Sequence, residues 1–405
     1  TVDRERFADL PGLAEELRRE GAAAESVSAA EEIPDDAHGV VLLGGLRQSA
    51  GVDEMLEIQR AAFRAARLMA PRLAEHGGVL VTVQDTGGDF GLSGGHGLRA
   101  WSGGLAALAR TVARECPAAA VKAVDCERSG RTPEETADAI VAELLTGGPL
   151  LDAGLRADGS RVSPVAVPAP YGEDAAEHTT GPAAGNDAAP APALLGPADV
   201  IVATGGARGV TAAALIELAR AHQPRIVLIG RTAMEEEPPG LPPTADEAEL
   251  VRALAACPGA DPSPAVLTER ARRILAVREI KATVAAIEEA GSPVRHFCAD
   301  ARDPEALRAV LAAVRADWGP VTGIVHGAGV LADRYLAEKT DEQFDLVFGT
   351  KTDGLRALLD ATADDPLRTV CLFSSVAACH GNAGQADYAA ANAFLDALAH
   401  HRAAL

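Results

Sequence analysis

The segment best suited to chemistry is Thr204-Gly205-Gly206-Ala207-Arg208-Gly209-Val210, which follows the apolar run 199–204 and opens a helical pattern. Glycines between a strand and a helix let the backbone approach a pyrophosphate, whose charge meets the N–H groups and dipole of the helix start. A plain tight turn has the same composition, and the strand-turn-helix setting is what favours phosphate. The next strand, 225–229, ends at Gly230-Arg231-Thr232 without an acid to hold a ribose 2′-hydroxyl. An arginine there suits a 2′-phosphate, so NADPH is expected over NADH. Asp300, with Ala301 beside it, follows a third strand, where it could accept from an adenine amino group or cap the helix 304–317. His326-Gly327-Ala328-Gly329 closes a fourth strand; its small residues would let a nicotinamide ribose lie against the backbone, and His326 reads as structural. Tyr388 and Asn392, four residues apart, share a helix face directed toward Ser375. His400 and His401 are adjacent rather than spaced for one helix face, so a solvated helix end explains them and no metal is expected.

These residues need an α/β frame. The runs 39–46 (GVVLLGGL) and 78–83 (GVLVTV) flank the helix-period segment 54–75, a β-α-β pattern and hence a parallel sheet. A helix at 98–115, a strand at 121–125 and a helix at 134–145 complete a small α/β unit. From Pro168 to Pro197 the composition turns to Ala, Pro, Gly and Asp, as in a mobile linker. Alternation then resumes with strands at 199–204, 225–229, 294–298, 321–326 and 369–374, separated by helices at 210–222, 304–317 and 341–361. This is the doubly wound pattern. An insertion at 233–291, with the Pro-rich EEEPPGLPP and helical patterns at 245–256 and 266–289, predicts a helical elaboration on the surface.

Length and charge bound the function. At 405 residues the chain exceeds one ordinary domain, and its aromatic content of 3% implies a core of Ala, Val and Leu. A formal charge of −21 opposes sequence-wide attraction to nucleic acid or anionic membranes. The six cysteines form no CxxC pair, so reduced thiols in a cytoplasmic setting are expected. No apolar run reaches the roughly 18 residues that span a bilayer. From its charged start without Met the chain is expected to be a piece of something longer.

The run FSSVAACHGNAGQADYAAANAFLDALA (373–399), with GTKTDGL (349–355) and TGGARGV in front, resembles the ketoreductase domains of modular and iterative polyketide synthases, within the short-chain dehydrogenases. The resemblance covers 198–405. TGGARGVTA, HGAGVLADRYLAEKT and GQADYA are most similar to the ketoreductases of polyunsaturated fatty acid synthases and related bacterial iterative synthases. Residue by residue, it makes Tyr388 the general acid, Ser375 a donor to the substrate carbonyl, and Lys351 and Asn392 their support. Hydride delivered to a ketone leaves an alkoxide that needs a proton, and a Tyr with a pKa near 10 gives it readily only beside a cation. Lys351 would be that cation. In the general short-chain dehydrogenase pattern the lysine stands where Asn392 is; the polyketide ketoreductases exchange the two, as here. Thr211 departs from the pattern, replacing a third glycine of the dinucleotide turn. Asp333 falls where one subclass has the last residue of a Leu-Asp-Asp signature, which Ala332 breaks, and His380 stands where the opposite subclass often has Trp, so stereochemistry leans toward the Leu-Asp-Asp type.

By the same resemblance, residues 1–167 are a truncated Rossmann-like structural subdomain and 198–405 the catalytic one. The residues agree: after strand 78–83 the chain runs QDTGGDFGLSGGHGLRAWSGGLAALAR without a Tyr, and no Gly-rich first turn precedes it. That half is expected to bind no cofactor, with Trp101 in its core. Leu405 closes the Tyr388 helix where the family continues with two strands and a lid, so the chain is expected to be a fragment. The leading expectation is NADPH-dependent reduction of a 3-ketoacyl thioester held by the phosphopantetheine of an acyl carrier protein, beside neighbouring domains of one synthase, with no nucleic-acid or membrane partner. A silent scaffold of the same fold, or a free-standing reductase of small ketones, are the alternatives.

Overall fold

The computed structural model describes residues 13–20, 23–25, 27, 29–49, 51–168, 195–244, 246–257 and 263–404. They group into two compact units that are not contiguous in sequence. One takes the described residues of Thr1–Pro192, Val330–Thr352 and Ser374–Leu405; the other takes those of Ala193–Gly329 and Asp353–Phe373. Most of the expected linker, 169–194, lies outside the described residues.

The first unit begins with α1 (Leu13–Arg19), β1 (Gly39–Gly45), α2 (Val52–His76), β2 (Gly78–Gln84), α3 (Gly104–Glu115), β3 (Ala119–Cys126), α4 (Pro133–Thr146), β4 (Asp152–Leu155) and β5 (Arg161–Val162). Their sheet has the order β1-β2-β3-β4-β5, parallel except for the β4–β5 pair. Side chains alternate across a strand, so Val41, Leu43, Val81, Val83, Val124 and Cys126 share one face, where they meet Ile140 and Val141 of α4 and Leu17 of α1. α4 starts where a capping box forms: Thr132 accepts from the Glu135 N–H, and the Glu135 carboxylate accepts from the Thr132 N–H. The helix expected at 98–115 is interrupted; a 3-10 turn over Gly97–Ser102 precedes α3, because three glycines cluster at 97, 103 and 104. Strands β4 and β5 are additions to the expected pattern, being short and carrying little apolar alternation.

The second unit holds β6 (Val200–Thr204), α5 (Gly209–His222), β7 (Arg225–Gly230), α6 (Glu247–Ala255), α7 (Pro264–Glu289), β8 (Val294–Cys298), α8 (Pro304–Trp318), β9 (Gly323–His326), the last part of α9 (Asp341–Ala361) and β10 (Thr369–Leu372). Its sheet is wholly parallel, in the order β10-β9-β6-β7-β8. The chain builds outward from β6 through β7 to β8, then crosses to β9 and β10. Strand order thus reverses between β6 and β9, and in open α/β sheets the ligand crevice lies at the carboxyl ends of such strands. Val200, Val202, Val227 and Ile229 face α8 and the end of α9, while Ile201, Ala203, Ile226 and Leu228 face α5 and α7. The insertion is helical, as expected: Leu250 and Leu254 of α6 bury against Leu267, Ala271 and Ile274 of α7 in a small core of their own.

The first unit is completed by residues 341–352 of α9, by α10 (Val376–His380) and by α11 (Ala386–Ala403). α2 meets α9 through aromatic rings, Phe63 on Phe344 at 4.1 Å and Phe344 on Phe348 at 5.1 Å, bordered by the Arg60–Asp345 ion pair at 2.7 Å. α3 meets α11 along a seam of small residues. A Cβ on Gly103 would stand 2.6 Å from the Ala397 Cβ, and one on Gly104 would stand 2.6 Å from the Ala390 carbonyl oxygen, so the two helices touch almost backbone to backbone. Trp101 is core, 4.9 Å from Phe394. Among the described residues no helix is long and apolar enough to cross a membrane.

Candidate functional site

The glycine turn lies at the carboxyl end of β6, where strand order reverses. Gly205 has φ +67° and a Cβ there would sit 2.7 Å from the Ala328 N and Cα, so the turns after β6 and β9 lie against each other only through glycine. Gly206 lets α5 close on the sheet, since its Cβ would strike Leu215 at 2.6 Å and Ala203 at 2.8 Å. Gly209 opens α5 with φ +62° and faces open space, a backbone that another group can approach closely. Thr211, the departure from the expected third glycine, is accommodated by Gly327: a Cβ on Gly327 would stand 2.3 Å from the Thr211 hydroxyl. The cradle therefore fits a phosphate at the start of α5, and Val210, 78% exposed, borders it.

The neighbouring candidates fall into place around the same strand ends. Arg231 is exposed just past β7. Asp300 pairs with Arg302 at 2.9 Å, which with the nearby Arg231 holds its carboxyl below the usual range. The alternative in which Asp300 caps the following helix is corrected: Asp303 caps α8, accepting from the Glu305 and Ala306 N–H groups, because it stands next to Pro304 at the first helical position. Ala301 is buried, close to the place a Cβ on Gly354 would take. His326 is fully buried with its Nδ1 2.7 Å from the Thr204 hydroxyl. No sequence motif points to Glu279, on α7, which accepts from the Gly209 N–H at 2.9 Å and from Arg208 Nε at 2.7 Å. Burial raises that carboxyl, but Arg208 and the N–H outweigh it and leave it below its ordinary value.

The second group of candidates lies in the other unit, on α9, α10 and α11. Tyr388, Asn392 and Asp396 recur every fourth residue along α11 and so share a face. Lys351 on α9 is buried, with its ammonium 5.6 Å from the centre of the Tyr388 ring. Burial lowers the Lys351 pKa to about 8 against the opposing pull of Asp396. Asp396 is itself raised by burial, opposed by Ser374, His400 and Lys351. Asn392 donates from Nδ2 to the Tyr388 carbonyl at 2.7 Å, while its buried Oδ1 lacks a protein partner among the described residues and can accept from a water or a hydroxyl. The serine that touches Asn392 is Ser374, donating to its carbonyl at 3.2 Å. Ser375 instead caps α10, its oxygen accepting from the Ala377 N–H at 3.2 Å, which leaves the hydroxyl proton to donate elsewhere.

Asp333 and His380, both expected to bear on stereochemistry, have different surroundings. Asp333 accepts from Gln385 Nε2 at 3.0 Å. His380 is exposed, borders a cavity of about 330 Å³ with Arg110, Asp152 and Cys379, and has its carbonyl held by Arg114 at 2.6 Å. His400 lines that same cavity, whereas His401 accepts from the Gly97 N–H. Among the described residues no group of His, Cys, Asp and Glu could hold a metal ion.

The KR-domain family model matches residues 199–405, just over half of the chain. A polyunsaturated fatty acid synthase polypeptide from a Thraustochytrium species is 37% identical over 211 residues, 49% of this chain and 8% of that protein. The polyketide synthase GfsB of Streptomyces halstedii is 42% identical over 176 residues, 42% of this chain and 3% of its own length. The chain thus spans under a tenth of these relatives. Among solved structures, A-type ketoreductases from a modular polyketide synthase superpose with a TM-score of 0.60 at 26% identity, covering 99% of this chain and 69% of that one. A ketoreductase domain from the bacillaene assembly line gives 0.61 at 21% identity, over 92% and 77% of the two chains, which shows the shared fold.

Proposed function

Since the chain belongs to the KR-domain family, the ketoreductase domains of polyketide and polyunsaturated fatty acid synthases, we propose that it reduces a 3-ketoacyl thioester, presented on the phosphopantetheine of an acyl carrier protein, to the 3-hydroxyacyl thioester. The observation that carries this reading is the buried Lys351 ammonium 5.6 Å from the ring of Tyr388, on the helix that also bears Asn392. NADPH, when bound, supplies the hydride. Thr204, Gly205, Gly206, Arg208, Gly209 and Val210 would hold its phosphates, with Arg231 at the 2′-phosphate, Asp300 and Ala301 toward the adenine, and His326-Gly327-Ala328-Gly329 along the ribose. His326 serves by fixing Thr204 rather than by touching substrate.

Ser375 donates its hydroxyl proton in a hydrogen bond to the ketone oxygen and so draws charge onto it. Tyr388 Oη then gives that oxygen its proton. A phenol releases a proton at neutral pH only if its anion is stabilised, and Lys351 provides the positive charge. Because burial has brought Lys351 down to about 8, the cation is present at neutral pH and disappears as pH rises through that value, so turnover in the reductive direction falls on the alkaline side. With a net charge of −21 the chain does not attract an acidic carrier over distance, and tethering within one synthase supplies the encounter.

The test is loss of NADPH absorbance with a 3-ketoacyl thioester, wild type beside Tyr388→Phe, repeated with NADH. The expected result is turnover with NADPH that falls at least about 100-fold in the Phe variant, the usual size of a lost general acid, and a weaker rate with NADH. Full turnover by Tyr388→Phe would refute the assignment of the acid.

A further inference from the structure

One short segment, 384–387 at the start of α11, leads into the residue just assigned as the acid, and another, 332–336, precedes α9. They are tied to each other by charged groups that the reduction chemistry does not use. Lys339 is fully buried; its Nζ donates to the Ala332 carbonyl at 2.7 Å and to Asp387 Oδ2 at 2.7 Å. The other oxygen of Asp387 accepts from the Tyr388 N–H at 2.8 Å. Glu115, at the end of α3, holds both segments at once, accepting from the Leu336 N–H at 2.6 Å and from the Gly384 N–H at 2.8 Å. Between these anchors the Arg334 N–H donates to the Gly384 carbonyl, and Gln385 donates to Asp333.

A buried ion pair costs desolvation and adds little net stability, while breaking one side of it is expensive. A hydrophobic pair would hold the segments together equally well, so the charges need another reason. Their directional bonds fix the peptide preceding Tyr388 and the strip carrying Asp333 in one arrangement. We propose that Lys339 and Asp387 form a positioning pair, which sets Tyr388 against the Ala332–Arg334 strip and thereby decides which face of the ketone is reduced. Lys339 is a positioning residue, not a catalytic one. This rests on the reductase reading above.

Lys339→Met, Asp387→Asn and the double variant separate positioning from stability. Each single change leaves one buried charge without its counter-charge and lowers the melting temperature; the double change removes the charge imbalance and recovers much of it. The expected result is that the double variant, though folded and binding NADPH with the wild-type Kd, has kcat reduced at least tenfold and yields a mixture of the two 3-hydroxy stereoisomers. A double variant with wild-type kcat and a single product isomer would overturn the proposal and leave the pair a structural one. Wild-type protein without turnover would defeat the reductase reading instead, and that outcome is distinguished by the wild-type control alone.

Discussion

The two sheets treat the same structural opportunity differently. Each has a glycine-containing loop at the carboxyl end of a parallel strand. After β2 the first turn of the loop, 85–90, is filled by the protein: Asp125, buried at the end of β3, accepts from the Thr86 N–H at 2.6 Å, the Thr86 hydroxyl at 2.8 Å and the Phe90 N–H at 2.5 Å. Asp85 is claimed by Arg99 and Arg128, and Asp89 by Arg156. Gly88 has φ +73°, yet its missing Cβ would sit 2.9 Å from the Leu155 carbonyl, so its space is already taken. After β6 the space beside Gly209, at φ +62°, stays open, although its N–H is met by the Glu279 carboxylate. Strand order adds to the contrast, running without reversal in the first sheet and reversing at β6 in the second. Glycine alone does not make a ligand cradle; what matters is whether the volume it leaves is occupied by the chain.

A matched pair of substitutions separates the two loops. Gly209→Val should weaken NADPH binding about 100-fold with a small change in melting temperature, because the added side chain fills the phosphate space and strains a positive φ. Gly88→Val should do the reverse, lowering the melting temperature by several degrees while leaving NADPH titrations unchanged. A loss of NADPH binding in Gly88→Val would erase the distinction. A smaller effect is expected at Glu279, whose carboxylate occupies the Gly209 N–H and would repel the phosphate proposed to bind there. Glu279→Gln should tighten NADPH binding about threefold, the scale of one exposed charge interaction, and the gain should shrink as salt is raised. An effect on stability rather than binding concerns Asp125, which burial raises to about 7. In an unfolded chain an aspartate titrates near 3.9, so the folded protein holds the extra proton between these values. The contribution of Asp125 to stability is then fully present below about pH 4 and is lost as pH rises through about 7. Melting temperatures of Asp125→Asn across that window should lack this component of the decline; parallel curves for variant and wild type would contradict it.

The sequence was most legible where neighbouring residues act together. The glycine turn, the strand before it and the helix after it are contiguous, and β6, α5 and β7 lie within a residue of where hydrophobic period places them. Short β4 and β5 escaped because DAGL and RV carry too little apolar alternation to register. The face shared by Tyr388 and Asn392 was readable from spacing, and Asp396, four residues further on, obeys the same rule though nothing drew attention to it. Lys339–Asp387 and Glu279–Gly209 were out of reach, since their partners stand 48 and 70 residues apart and nothing in a linear motif shows which distant residues meet. Asp300 shows the opposite error: two aspartates three residues apart could each start the helix, and proximity to Pro304 decided for Asp303.

The seam between α3 and α11 has a consequence for how this protein can be damaged. Most cores fail by subtraction, when a trimmed side chain leaves a cavity. Here Gly103, Gly104, Ala389, Ala390 and Ala393 have almost nothing to remove, and alanine surrenders no rotamer freedom on burial. The helix that carries Tyr388 can therefore be displaced from α3 by addition, one methyl group being enough at either glycine.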